Sequence, residues 1–150
     1  MKRQITATLL SLVMAIVCAA GAQAADRAIS YRELPQRAQT FVKQYFNPKK
    51  VVLVKEDRGF RDTDYEVKFT DGSEIEFNSR GEWTEVKSPS GLKKGIVPVQ
   101  ITDFMKHKGY LKHGVKPVKI EYGRRGYEVK LSNGTELEFD KRFNLIDVDH

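Results

Sequence analysis

The segment Tyr65–Val86 is repeated 62 residues later as Tyr127–Val148, and nothing else in the chain restricts its fold as much. Ten of the 22 aligned columns are identical: Tyr, Glu, Val, Lys, Gly, Glu, Glu, Phe, Arg and Val. Unrelated segments of ordinary composition would share about one or two. The swaps Asp71/Asn133, Ser73/Thr135 and Ile75/Leu137 preserve side-chain character. A chain that repeats itself in this way is built from two copies of one structural unit.

Each copy contains a hairpin. Tyr65, Val67 and Phe69 alternate with Glu66 and Lys68, and Ile75 and Phe77 alternate with Glu74 and Glu76, which sends apolar and charged side chains to opposite faces of a strand. Asp71-Gly72 and Asn133-Gly134 lie between these runs and predict type I′ turns, whose two central residues need positive φ. A further strand follows, Trp83–Lys87 in one copy and Leu145–Val148 in the other. It is reached through Arg80-Gly81-Glu82 or Arg142-Phe143-Asn144, with Asn144 expected in the left-handed conformation. Upstream, Leu34, Ala38, Phe41, Val42 and Tyr45 fall on one face of a helix, as do Val97, Ile101, Phe104 and Met105. Pro35 and Pro98 are expected in first turns, and Asn47-Pro48 and Gly109 end the helices. An apolar stretch before each hairpin, Val51–Val54 and Val118–Ile120, completes the unit.

The expected organisation is a signal segment over 1–24, a first repeat over 25–87, a linker over 88–95 and a second repeat over 96–150. A unit of about 60 residues buries only about 60% of its unfolded surface, and joining two sheets edge to edge covers two open edges. The expected fold is therefore α+β, with two tandem helix-plus-four-strand repeats forming one antiparallel sheet and both helices on one face. The other face is open. It would carry Glu66, Lys68, Glu74 and Glu76, with their counterparts Glu128, Lys130, Glu136 and Glu138.

The first residues read as an export signal. Lys2 and Arg3 precede an uncharged, mostly apolar run from Ile5 to Ala20, and Ala22-Gln23-Ala24 supplies small residues for cleavage before Ala25. The run is shorter than the roughly 20 residues that span a bilayer. Cys18 follows Ile16 and Val17 rather than the small residues that lipoprotein processing requires, so it is not expected to carry lipid. Removal of the signal leaves 126 residues with no cysteine and a net charge of +4. A soluble periplasmic or secreted protein without membrane insertion is the expectation.

Chemistry is sparse. Three histidines, His107, His113 and His150, remain beside no cysteine and no G-x-S-x-G motif, so no nucleophile–base set is evident. No enzyme, cofactor or metal site is expected. The carboxylate pairs Glu74/Glu76, Glu136/Glu138 and Asp62/Asp64 sit two apart on strands, about 7 Å from one another. Lys68 and Lys130 can lie across the hairpins from them, which makes a solvated charge ladder the simpler reading. Asp147-Val148-Asp149-His150 reads as a frayed end. The basic pairs Lys49-Lys50, Lys93-Lys94 and Arg124-Arg125 are scattered rather than gathered into a stripe, which argues against nucleic acid. Trp83 packs under a helix or stands on the open face as a contact anchor; its parity opposes that of Val86 unless the strand bulges. Packing is the better reading, and Trp83 stays among the candidate contact residues. Tyr65 and Tyr127 are expected in the core.

The pattern Leu34-Pro35, Tyr65-x-Val67-x-Phe69-x-x-Gly72-x-x-Ile75-x-Phe77 and Gly81-x-Trp83 resembles the PepSY-like periplasmic proteins, which are built like the beta-lactamase inhibitor protein. The resemblance spans the whole mature chain. It implies a tandem helix-plus-sheet protein with a concave sheet surface and no catalytic residue. Related PepSY domains accompany peptidases as propeptides. The second copy departs from the pattern at Phe143 and Leu145, where Gly and Trp are expected.

The leading expectation is an exported, non-catalytic binding protein that holds a protein or peptide, a peptidase among the candidates, on the open sheet face. The alternative is a periplasmic small-ligand or cation sensor that uses Glu74/Glu76 and Glu136/Glu138. An aromatic patch on the open face would favour the first, and an acidic hollow the second.

Overall fold

The computed structural model describes residues 26–150; the export signal and Cys18 lie outside the described residues. Nine strands form one antiparallel sheet whose spatial order is the order of the chain. They are β1 (Asp26–Ala28), β2 (Val51–Arg58), β3 (Thr63–Phe69), β4 (Glu74–Phe77), β5 (Trp83–Lys87), β6 (Pro117–Tyr122), β7 (Gly126–Leu131), β8 (Glu136–Asp140) and β9 (Leu145–Asp149). The helices are α1 (Gln36–Tyr45) and α2 (Val99–His107). The α+β tandem architecture is the expected one, with one addition. β1, a short charged segment with no apolar period, precedes α1 and pairs with β2. It stands to β2 as β5, which precedes α2, stands to β6.

The two helices begin alike. Pro35 and Pro98 sit just outside the first turn, not inside it, with φ −50° and ψ 141° and 140°, and the fixed φ of proline suits an extended entry into a helix. At its other end α2 closes on Gly109, whose φ is +80°. Gly109 N–H donates to the Lys106 carbonyl and Tyr110 N–H to the Met105 carbonyl, which together satisfy the last free carbonyls in a Schellman motif. α1 has no such glycine and stops at Asn47-Pro48.

One apolar row crosses eight strands in register: Val54, Val67, Ile75, Val86, Ile120, Val129, Leu137 and Val148. All but the half-buried Val148, at the edge, are buried. Ala38 and Val42 of α1 and Ile101 and Met105 of α2 close over that face, so both helices share one core and the opposite face is open.

The hairpin turns differ from the expectation. Gly72 and Gly134 have positive φ, but Asp71 and Asn133 do not, so these are not type I′ turns. Phe69 N–H donates to Ser73 O and Gly72 N–H to Phe69 O, and Leu131, Gly134 and Thr135 repeat the arrangement. Each is a three-residue loop whose last residue is left-handed. Asp71 and Asn133 accept a hydrogen bond from the backbone N–H of Ser73 and Thr135, which holds the loop closed. The next pair of turns has the same form, with Asn78 and Asp140 as acceptors. Here the left-handed residue of the second copy is Phe143 (φ +68°), not Asn144; its ring stacks on Tyr127 at 5.5 Å.

Gly81 fills the matching place in the first copy for a further reason. A Cβ there would lie 2.9 Å from both Ala38 N and Pro35 Cβ, at φ +75°. The turn thus presses backbone to backbone against the start of α1. Gly81→Ala should lower stability by about 2–3 kcal/mol, from left-handed strain plus overlap, read as a shifted midpoint in urea at unchanged m.

Candidate binding surface

Strand register decides what the open face presents. Glu66 on β3 faces Glu76 on β4, which faces Glu85 on β5. Across the seam between the copies Glu85 faces Glu121 on β6. The row continues through Glu128 on β7, Glu138 on β8 and Asp147 on β9. Seven carboxylates thus stand side by side on seven consecutive strands. With neighbouring strands about 4.8 Å apart, the row is about 29 Å long. Like charges directly opposite one another destabilise a sheet, so the fold carries this row at a cost.

The neighbouring row on the same face is mixed: Lys68, Glu74, Lys87, Lys119, Lys130, Glu136 and Asp149. Lys130 Nζ lies 2.6 Å from Glu136 Oε1, and Lys68 Nζ lies 3.0 Å from Glu66 and 3.7 Å from Glu74. This is the cross-strand ladder expected of those residues. Lys119 sits at the centre of the sheet, 3.4 Å from Glu85 and 3.2 Å from Glu121.

The centre of the row is electrostatically strained. Burial, then a hydrogen bond shared with Glu121, pushes the Glu85 carboxyl up to about 7, against the pull of Lys119. Its side chain is only 19% exposed. Burial also disfavours charge on Glu121, but hydrogen bonds from Glu85 and Lys119 outweigh it and hold Glu121 below the usual range. Glu76 is raised by burial and then by Glu66 and Glu121, and Glu128 by burial and then by Glu121 and Glu136. A hollow of about 440 Å³ lies over this part of the row, lined by Glu76, Glu85, Glu121, Glu128 and Glu138 together with Arg124, Arg125, Tyr122 and Tyr127.

Eight of the nine expected contact residues lie on this face. Trp83 does not. It pairs with Phe77 on the helix side, where it is half-buried against the core. A bulge at Thr84 shifts the register between Glu76 and Phe77, so Trp83 and Val86 share a face despite their opposite parity. The open face is therefore acidic rather than aromatic, the outcome that favours a cationic ligand over contact through an aromatic patch. Glu85, Glu121 and Lys119 join this face beyond the expected contact residues; the one sequence signal for them is that Glu85 aligns with Asp147 in the repeat. Asp147 and Asp149, read as a frayed end, belong to β9 and face Glu138 and Glu136. His107 is exposed, its Nδ1 2.8 Å from the Asp103 carbonyl. Among the described residues no three His, Cys, Asp or Glu side chains are placed to hold a metal ion. Among them, too, no helix is long and apolar enough to cross a membrane.

The family model described as "Putative beta-lactamase-inhibitor-like, PepSY-like" matches residues 22–68 and 63–147. A solved structure from Bacteroides vulgatus ATCC 8482, described as a putative periplasmic protein from the DUF2874 family, is 41% identical. The match covers 83% of this chain and 97% of that one, with a TM-score of 0.78. A putative calcium-regulated periplasmic protein from Bacteroides thetaiotaomicron is 42% identical over 83% of this chain and 97% of its own, with a TM-score of 0.76. A second Bacteroides vulgatus structure, a putative periplasmic protein of unknown function, is 34% identical over 84% and 100%, with a TM-score of 0.75. All three are described as periplasmic, one of the two destinations expected from the export signal. No curated protein matches the chain.

Proposed function

We propose for this chain, which belongs to the beta-lactamase-inhibitor-like, PepSY-like family, a non-catalytic role in the periplasm: its open sheet face holds a positively charged segment of a protein or peptide. The observation that carries this reading is the unbroken row from Glu66 to Asp147. A single metal ion needs several oxygens converging on one point, whereas this row spreads its carboxylates along a line about 29 Å long. An extended chain of about nine residues has that length, and its lysines or arginines would relieve the repulsion along the row. A peptidase is one candidate partner, as the resemblance to PepSY domains, which accompany peptidases as propeptides, implies.

The description of the Bacteroides thetaiotaomicron relative as calcium-regulated favours a second reading. In it, calcium neutralises the Glu85–Glu121 region and so raises the stability of the folded chain.

Calorimetric titration of the mature chain with pentalysine and, separately, with calcium chloride distinguishes the two. Pentalysine should bind with an affinity that falls as salt rises, and Glu76→Gln/Glu128→Gln should weaken it at least about tenfold, or about 1.4 kcal/mol. Glu74→Gln/Glu136→Gln, in the mixed row, should weaken it less. Absence of pentalysine binding together with a calcium-dependent rise in Tm would replace the first reading with the second.

A further inference from the structure

A second concavity reaches the helix side of the sheet; it meets the acidic hollow at Thr84, Tyr122, Gly123, Arg124 and Tyr127, which line both. A cleft of about 830 Å³ opens at the seam between the copies, with α1 on one side and the β6–β7 turn on the other. That volume is typical of ligand sites, which run from about 300 to 1,000 Å³. Its floor is aromatic: Trp83 meets Tyr122 edge-on at 6.4 Å, and Tyr122 lies 4.8 Å from Tyr127. Tyr122 is 39% exposed, so part of this floor faces solvent.

The rim is cationic. Arg37 and Arg80 both engage Glu82, at 2.8 Å each. Arg124 and Lys141, also on the rim, are exposed and form no ion pair among the described residues. A ring placed on the floor gains apolar burial and edge-to-face contact, and a carboxylate at the rim meets guanidinium donors of matching geometry.

We propose that this seam cleft is a second binding site and takes an acidic peptide segment, with an aromatic side chain on the Trp83–Tyr122–Tyr127 floor and carboxylates against Arg124 and Lys141. Its cations come from four separate segments: Arg37 of α1 and Arg80 of the β4–β5 turn, joined through Glu82, and the exposed Arg124 and Lys141 of the β6–β7 and β8–β9 turns. Several carboxylates in one extended chain meet that layout better than a single anionic group does. The two faces of the sheet would then select partners of opposite charge, and this site stands whether or not the acidic row binds a partner.

Trp83 is the sole tryptophan of the chain, so its emission reports directly on the cleft. The probe is the capped peptide acetyl-Glu-Glu-Phe-Glu-amide, titrated into the mature chain with excitation at a wavelength that selects tryptophan. A saturable change in Trp83 emission is expected. Arg124→Glu/Lys141→Glu should weaken it at least tenfold, with an unchanged Tm, because both side chains are exposed. The counterpart acetyl-Lys-Lys-Phe-Lys-amide should give no saturable change. The proposal is overturned by an unresponsive Trp83, by equal affinity in the charge-reversed variant, or by a change in Trp83 emission with the lysine peptide equal to that with the acidic one. Binding of phenylpropionate as tight as that of the acidic peptide would also overturn it and assign the cleft to a small molecule.

Discussion

Gly126→Ala is expected to be the most damaging small substitution in this fold, costing about 4 kcal/mol and lowering Tm by roughly 15 °C. Gly126 has φ +139°, a conformation L residues rarely adopt. It faces Asp140 where β7 and β8 begin to pair. A Cβ at this position would overlap the Phe139 carbonyl oxygen and lie 2.6 Å from Asp140 C and 2.8 Å from Asp140 Cα. These are backbone atoms of a hydrogen-bonded strand pair and cannot turn aside as a side chain would. Relief requires β7 and β8 to part, and those strands supply Val129, Leu131, Leu137 and Phe139 to the core. The equivalent place in the first copy holds Asp64, without positive φ, so Asp64→Ala is the matched control and should cost little. Urea denaturation of the two variants checks the contrast; a Gly126→Ala loss under about 1 kcal/mol would show that the strands can spread.

The second large effect concerns pH. Glu85 holds its proton to about pH 7 in the folded chain, against an ordinary 4.5. Between those values the folded state binds more protons than the unfolded state, so stability falls as pH rises through this window and levels off above it. Glu76 and Glu128 are shifted the same way. Carboxylates held low by hydrogen bonds, such as Asp71 and Asp140, act below this window, where they lose their contribution as pH falls. From pH 5.5 to pH 8 the chain should lose about 2 kcal/mol. Glu85→Gln cannot ionise, so it should remove more than half of that loss and be more stable than the parent chain at pH 8. Thermal melts across the window decide the point, and a parent chain that gains stability toward pH 8 would contradict it.

Both effects arise where the two copies depart from each other or meet, which is also where sequence reasoning was weakest. The alternation in Tyr65–Phe77 and Tyr127–Phe139 is a local signal, because a strand with one buried face shows period two in its own residues. The facing of Glu85 and Glu121 is not local: it depends on how β5 and β6 dock, and no hairpin turn sets that register. Similarly, the bulge at Thr84 lets Trp83 join Val86 on the buried side, and nothing in Trp83-Thr84-Glu85-Val86 announces it. β1 is not legible in the sequence because Asp26-Arg27-Ala28 is too short and too charged to show a period. At Phe143 the expectation followed the usual tolerance of Asn for positive φ, and the tertiary stack on Tyr127 prevailed over that preference. The turns at Gly72 and Gly134 were placed correctly but typed wrongly, since Thr70 and Ser132 belong to the loops and not to the strands.

If the row from Glu66 to Asp147 is the surface that meets a partner, a cationic peptide must land on it. Amide chemical-shift mapping of the isotope-labelled mature chain during a pentalysine titration tests it most directly. Perturbations should be strung across β3 to β9, strongest around Glu85, Glu121 and Glu128, with α1 and the Trp83 indole unmoved. Perturbations gathered on the helix side, or a spectrum unchanged at saturating peptide, would contradict it.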